Sequence, residues 1–221
     1  GLYTSTVILL LISVTGAAMA MRHDSKGLAI ISALGGFAAP FLLSVFAIEP
    51  TSGSEPLELS RSDSGIDILV YIFIVNIGVL ALATFSTWRW LTVIAWAGSI
   101  LSFLPWYFEF SSEATLLIEQ GSVTIIFLSI LLSTVFHHLA WKRDARALDL
   151  TLMTGNAFSY YGISYMILSD HFADGMGAFT FGLSFLYGIL AYLFWRNHKE
   201  DLVMALFSLG LAIVFFTVAI P

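Results

Sequence analysis

Residues 66–86 read IDILVYIFIVNIGVLALATFS, twenty-one positions with one charge, Asp67, at the start and one amide, Asn76, near the middle. At 1.5 Å of rise per residue, a helix of this length matches a hydrocarbon layer of about 30 Å. In such a layer the backbone finds no water, so it must close its hydrogen bonds within the segment, as an α-helix does. On its C-terminal side, STWRW places Arg89 between two tryptophans. On the other side, residues 49–65 (EPTSGSEPLELSRSDSG) are rich in Ser, Gly, Pro and carboxylates, the composition of a flexible, solvated, acidic loop.

The same alternation of apolar run and polar punctuation continues in both directions. Candidate spans cover residues 2–21, 27–48, 66–86, 91–108, 116–139, 147–168, 175–195 and 202–220, each of 18 to 24 residues. The sequence thus predicts an all-α fold, a polytopic transmembrane bundle of about eight spans paired as antiparallel hairpins. The ten-residue alternating segments of a β-barrel are not seen. Composition agrees: 58% of residues are hydrophobic and 11% charged, against about a quarter charged in soluble domains.

Charge placement tests the span count independently. Arg22, Lys26, Arg89, Lys142, Arg143, Arg146, Arg196 and Lys199 fall in the connections after spans one, three, five and seven, and Arg61 alone falls on the other side. Basic residues concentrate on the cytoplasmic face of membrane proteins, so both termini are expected outside and the basic turns in the cytoplasm. Glu49, Glu55, Glu58, Asp63, Asp67, Glu109, Glu113, Glu119, Asp170 and Asp174 gather on the expected outer side. Trp88, Trp90, Trp141 and Trp195 mark the inner interface, and Trp106, Tyr107 and Phe108 the outer one. Trp88, Trp141 and Trp195 are spaced by 53 and 54 residues, each beside a basic turn. A stacked array of hairpins and ordinary interface composition both account for that spacing.

Several function classes are excluded. A net charge of −6 and the lack of a dense basic run argue against nucleic acid as a partner. The absence of cysteine removes disulfides, thiolate metal sites, iron–sulfur clusters and cysteine nucleophiles. HExxH, GxSxG and P-loop patterns are missing, so no catalytic set and no cofactor is expected. His137 and His138 are adjacent and point about 100° apart on a helix, and His23, His171 and His198 lie in connections, so no metal site is expected either. Asp149 follows the basic cluster and reads as a salt-bridged or headgroup-facing carboxylate.

Polar groups deep in a span carry a free-energy penalty and therefore draw attention. Asn76 is central in the third span and Asn156 in the sixth, while Glu119 and Gln120 lie about a turn inside the fifth. Each asparagine fits an interhelical hydrogen bond or a substrate contact. Glu119 fits a coupling carboxylate or an interfacial one. In the second span, Gly35, Gly36 and Pro40 combine small residues with a missing backbone donor, which serves close packing with a kink or a broken helix lining a site. Pro105 reads as an end-of-helix proline, and Gly175, Gly177, Gly182 and Gly188 as tight packing in the seventh span. Three readings follow. The first is transport or lipid handling along a path lined by these polar residues. The second is a non-catalytic structural or assembly subunit of a membrane complex, and the third an enzyme acting on lipid-linked substrates at the outer face. Expected partners are membrane lipids, other membrane subunits or the rest of a longer chain.

The run SALGGFAAPFLLS (32–44) after an inner basic turn, the WRWL turn (88–91) and the closing FFTVAIP (215–221) together resemble a bacterial family of large membrane proteins catalogued as domain of unknown function 2339. The likeness covers most of the chain in order of features and implies a multi-pass protein of the bacterial cytoplasmic membrane. Members are typically much longer, with the Ala-Ile-Pro element mid-chain, so this chain is expected to be a segment of a longer one. The family brings no established activity, and no catalytic residue is carried over.

Overall fold

The structure, a computed structural model, describes residues 2–46, 61–86, 88–141, 146–197 and 202–220. Eight α-helices lie over the eight apolar stretches: α1 (Leu2–Arg22), α2 (Lys26–Phe46), α3 (Arg61–Ser86), α4 (Arg89–Phe110), α5 (Leu116–Trp141), α6 (Ala147–Leu168), α7 (Met176–Asn197) and α8 (Val203–Ala219). Short 3-10 turns, Glu113–Thr115 and Ala173–Gly175, lead into α5 and α7, and no strand occurs among the described residues. Among the described residues four helical stretches are long and apolar enough to cross a membrane: Gly65–Ala83, Trp90–Phe110, Leu116–Phe136 and Ala173–Asn197. Over α1, α2 and α8 the apolar helical stretch is shorter, at Leu11–Arg22, Lys26–Ala39 and Val203–Ala219.

Residues 61–65, expected as the end of the outer loop, form the first turn of α3 instead. Their Ser-Asp-Ser content suits that place, because small polar and acidic residues are favoured at a helix N-terminus. Residues 49–60 of that loop, and Lys142, Arg143 and Lys199 of the basic turns, lie outside the described residues. Pro105 sits inside α4, which continues to Phe110, and not at its end.

The chain forms two compact units, residues 1–122 and 123–221. In the first, α1 packs on α2, α2 on α4, α4 on α3 and α3 on α1. The α1–α2 turn is closed by a Schellman arrangement, in which Ser25 N–H donates to Ala20 O (3.0 Å) and Asp24 N–H to Met21 O (3.3 Å). Asp24 takes the left-handed conformation (φ 46°) that the motif requires. Close approach is set by glycines. A Cβ at Gly16 would run into the Ser32 hydroxyl, one at Gly36 would lie 3.1 Å from Val75 and 3.3 Å from the Ser13 hydroxyl, and one at Gly98 would lie 2.5 to 2.9 Å from the Phe37 ring. Around these contacts Ala20, Ala29, Ile72, Leu91, Ala95 and Phe103 are buried.

Trp106 departs from its expected place among the interfacial anchors. It is buried, and its indole N–H donates to Gly65 O at 2.6 Å, tying the start of α3 to the end of α4. A Cβ at Gly65 would crowd the Phe110 ring at 3.1 Å, so the glycine admits both aromatics.

In the second unit α7 packs along α8, and α6 touches both. Its core is aromatic. Phe127 stacks on Tyr160 with ring centroids 4.2 Å apart, and Phe215 gathers Phe158, Tyr161 and Tyr187 at 5.7 to 5.8 Å. Of the α7 glycines, Gly177 alone meets a close neighbour, with a Cβ there 3.2 Å from Ala219 O. Gly182 and Gly188 face open space, contrary to the packing role expected for them.

Candidate functional site

The deep polar residues engage separate partners. Asn76, wholly buried on α3, donates its amide to the hydroxyl of Ser99, equally buried on α4. Asn156, 3% exposed on α6, donates to Phe127 O on α5 at 3.0 Å. A third bond of this kind, Ser184 Oγ to Ala212 O at 2.7 Å, joins α7 to α8. Thr124 and Tyr160 exchange a hydroxyl bond at 2.9 Å, again between α5 and α6.

The α3–α4, α5–α6 and α7–α8 pairs thus each carry a buried polar bond well away from the turn, and simple counting matches the first two. Asn76 is twelve residues before Trp88 and Ser99 eleven after it; Phe127 is fourteen before Trp141 and Asn156 fifteen after it. In a tight hairpin, equal rise on both arms brings such residues to one level. Ser99, Ser184 and Thr124 were not singled out from sequence; the mirror relation finds Ser99 and, with Tyr160 at nineteen residues after Trp141 against seventeen before it, Thr124, whereas Ser184 and Ala212 lie eleven before and seventeen after Trp195 and are not found this way.

Glu119 is engaged locally. It is 2% exposed, and its Oε1 accepts the Thr115 hydroxyl at 2.6 Å and the Ser112 N–H at 3.3 Å. Ser112 N–H also meets Thr115 Oγ1 at 2.9 Å. The carboxylate therefore closes the entrance to α5, where free N–H groups and the helix dipole favour negative charge. Gln120 beside it is half-buried. The bonds described for Asn76, Glu119 and Asn156 go to different residues, Ser99, Thr115 with Ser112, and Phe127.

The Gly35–Pro40 segment is more revealing. Pro40 has no N–H, so the carbonyl one turn earlier, that of Gly36, loses its intrahelical donor. The Tyr71 hydroxyl of α3 supplies one, at 3.0 Å. Ser13 of α1 hydrogen-bonds the Tyr71 hydroxyl in turn. Next to this node, Ser102 of α4 donates to Phe37 O at 3.4 Å. The proline break in α2 is thereby satisfied from α3, with α1 behind it.

His138 and Asp149, considered separately in the sequence, meet across the α5–α6 turn. Both are buried, with His138 Nε2 3.4 Å from Asp149 Oδ2. The same oxygen accepts the Arg146 N–H at 3.0 Å, capping α6, and the imidazole meets Phe194 edge to face at 6.3 Å. Asp149 is therefore neither headgroup-facing nor exposed. Among the described residues no group of three or more His, Asp or Glu side chains is placed to hold a metal ion.

One crevice of about 50 Å³ lies among α1, α2 and α3, lined by Ser13, Ala17, Ala33, Ile74, Val75 and Gly78 among others. Apart from Ser13 and Ser32 the lining is apolar, so the crevice suits an apolar group such as a methyl branch or a bend of an acyl chain.

No curated protein and no solved structure matches the chain. The family model described as Predicted membrane protein (DUF2339) matches residues 1–221. The chain therefore belongs to the DUF2339 family of predicted membrane proteins.

Proposed function

We propose that this chain is a structural or assembly unit of the membrane, with all eight helices crossing the bilayer as antiparallel hairpins and the basic turns in the bacterial cytoplasm. The observation that carries this reading is the use made of the deep polar groups. Asn76, Asn156 and Ser184 each bond the facing arm of their own hairpin, and the carbonyl freed by Pro40 is taken by Tyr71. Groups engaged in this way hold helices together, and the neighbouring crevice is lined almost wholly by apolar side chains. Lipids on the exposed apolar faces, further membrane subunits or the rest of a longer chain are the partners such a unit would have. Transport or lipid handling along Asn76, Asn156, Glu119 and Gln120 is the rival reading, and it needs those side chains to meet water.

The absence of cysteine makes the test direct. Single cysteines at 76, 156 and 120 are treated with a water-soluble, membrane-impermeant thiol reagent in sealed vesicles of both orientations. Scaffold positions stay unmodified from either side. Modification of two or more of them would favour a hydrated path and overturn the proposal. Cysteines at 24 and 111 serve as markers of the two faces, and labelling of both from one side would overturn the eight-span topology.

A further inference from the structure

We infer that residues 35–40 of α2 form a hinge that is latched shut by the hydroxyl of Tyr71. Three observations combine. Pro40 leaves the Gly36 carbonyl without its intrahelical donor, which is the usual origin of a bend in a helix. Tyr71 is 4% exposed, and its hydroxyl, backed by Ser13, meets that carbonyl at 3.0 Å from another helix. The two glycines also differ in what they do. At Gly36 a Cβ would press on Val75 and Ser13 at 3.1 and 3.3 Å, so those side chains would have to give way. Gly35 has no such constraint, since a Cβ there would meet nothing within 4 Å. Glycine inside a helix weakens it by about 0.5–1 kcal/mol relative to alanine, and at Gly35 no packing gain offsets this. A weak position with no contact to explain it, directly before a missing backbone bond, is what a hinge requires.

The latch therefore has a defined mode of release. When the Tyr71 hydroxyl leaves Gly36 O, the carbonyl is orphaned, and α2 beyond residue 36 is held by one fewer interhelical tie. The Ser102–Phe37 bond to α4 and the Phe37 packing on Gly98 remain. The inference goes beyond the assembly reading, because a rigid scaffold has no use for a hinge.

Amide hydrogen exchange over residues 41–46 of the purified full chain in detergent tests it, with thermal unfolding measured alongside. In Tyr71→Phe, exchange there accelerates about tenfold or more, the loss expected when one buried carbonyl loses its partner, while exchange in α7 and α8 is unchanged. Pro40→Ala restores the intrahelical donor, so Pro40→Ala/Tyr71→Phe exchanges within about twofold of Pro40→Ala alone, since the two changes act on one acceptor. Gly35→Ala slows exchange without changing the fold. If Tyr71→Phe does not fold, Ser13→Ala, which removes the second hydroxyl and leaves the ring, takes its place and gives a smaller acceleration confined to 41–46. An acceleration by Tyr71→Phe that is equal with and without Pro40, or no local change in any of these variants, would overturn the latch. The cysteine-accessibility experiment on positions 76, 120 and 156 reads a different quantity, so the two proposals can fail separately.

Discussion

The Asn76 amide donates to the Ser99 hydroxyl across the α3–α4 hairpin, and both side chains are wholly buried. Interhelical bonds between polar side chains in membranes contribute about 1 kcal/mol. Asn76→Ala and Ser99→Ala should each lower the detergent unfolding temperature, and the double variant should lose less than the sum. A double-mutant cycle reads the coupling, expected near ~1 kcal/mol. Strict additivity would remove the bond from the account of stability.

Gly98 and Gly78 should respond oppositely to alanine. A Cβ at Gly98 would enter the Phe37 ring at 2.5 to 2.9 Å, whereas at Gly78 it would meet nothing within 4 Å. Overpacking of this kind costs about 1–3 kcal/mol, so Gly98→Ala should be destabilised by roughly that amount, with partial rescue by Phe37→Leu. Gly78→Ala should be neutral or gain up to about 1 kcal/mol, the helical advantage of alanine over glycine. Unfolding curves of the three variants decide it, and equal losses at both glycines would contradict the contacts described.

Asp24 holds a left-handed backbone (φ 46°) at the end of α1. Side chains other than glycine are strained there, aspartate less than most. Asp24→Gly should raise stability by about 0.5–1 kcal/mol, the usual gain from relieving such a position. A lower unfolding temperature would mean that the Asp24 side chain makes a contact worth more than the strain.

Asp149 serves two neighbours at once, the Arg146 N–H at 3.0 Å and the His138 imidazole at 3.4 Å. Removing a helix cap costs about 1 kcal/mol, and an imidazole left buried beside no carboxylate adds to that. Asp149→Ala should therefore lose more than Asp149→Asn, which keeps an acceptor for the cap. His138→Phe should make the Asp149→Asn change nearly neutral. Proteolytic nicking of the α5–α6 turn should follow the same order, and an Asn variant as damaged as the Ala variant would contradict the cap.

How much of this was legible in the sequence depends on whether a neighbour is near along the chain. The α6 helix starts and ends at 147 and 168 in sequence and structure alike, because charge stops the apolar run on one side and Ser169–Asp170 on the other. Asn76 and Asn156 stood out as amides in hydrocarbon. Their partners could have been found by counting near-equal distances from Trp88 and Trp141, whereas His138 and Asp149, three before Trp141 and eight after it, could not. The Tyr71–Gly36 bond could not, since it joins different hairpins through residues 47–60, and no count along the chain fixes that level. Gly98 was invisible for another reason: one glycine among WLTVIAWAGSILS says nothing until the opposing Phe37 is placed. Trp106 was misplaced because aromatics near a span end read as interfacial anchors, and the Gly65 carbonyl that draws it inward is silent in sequence.

The mirror relation within the hairpins restricts how the gene can change. One residue inserted between Trp88 and Ser99 would turn the hydroxyl by about 100° and shift it by about 1.5 Å, carrying it away from Asn76. The α5–α6 pair obeys the same geometry. Length changes in these arms would survive only when matched on both sides of a turn, because even a whole helical turn shifts the level by about 5.4 Å, so reading-frame-preserving indels should be rare between paired residues and freer outside them.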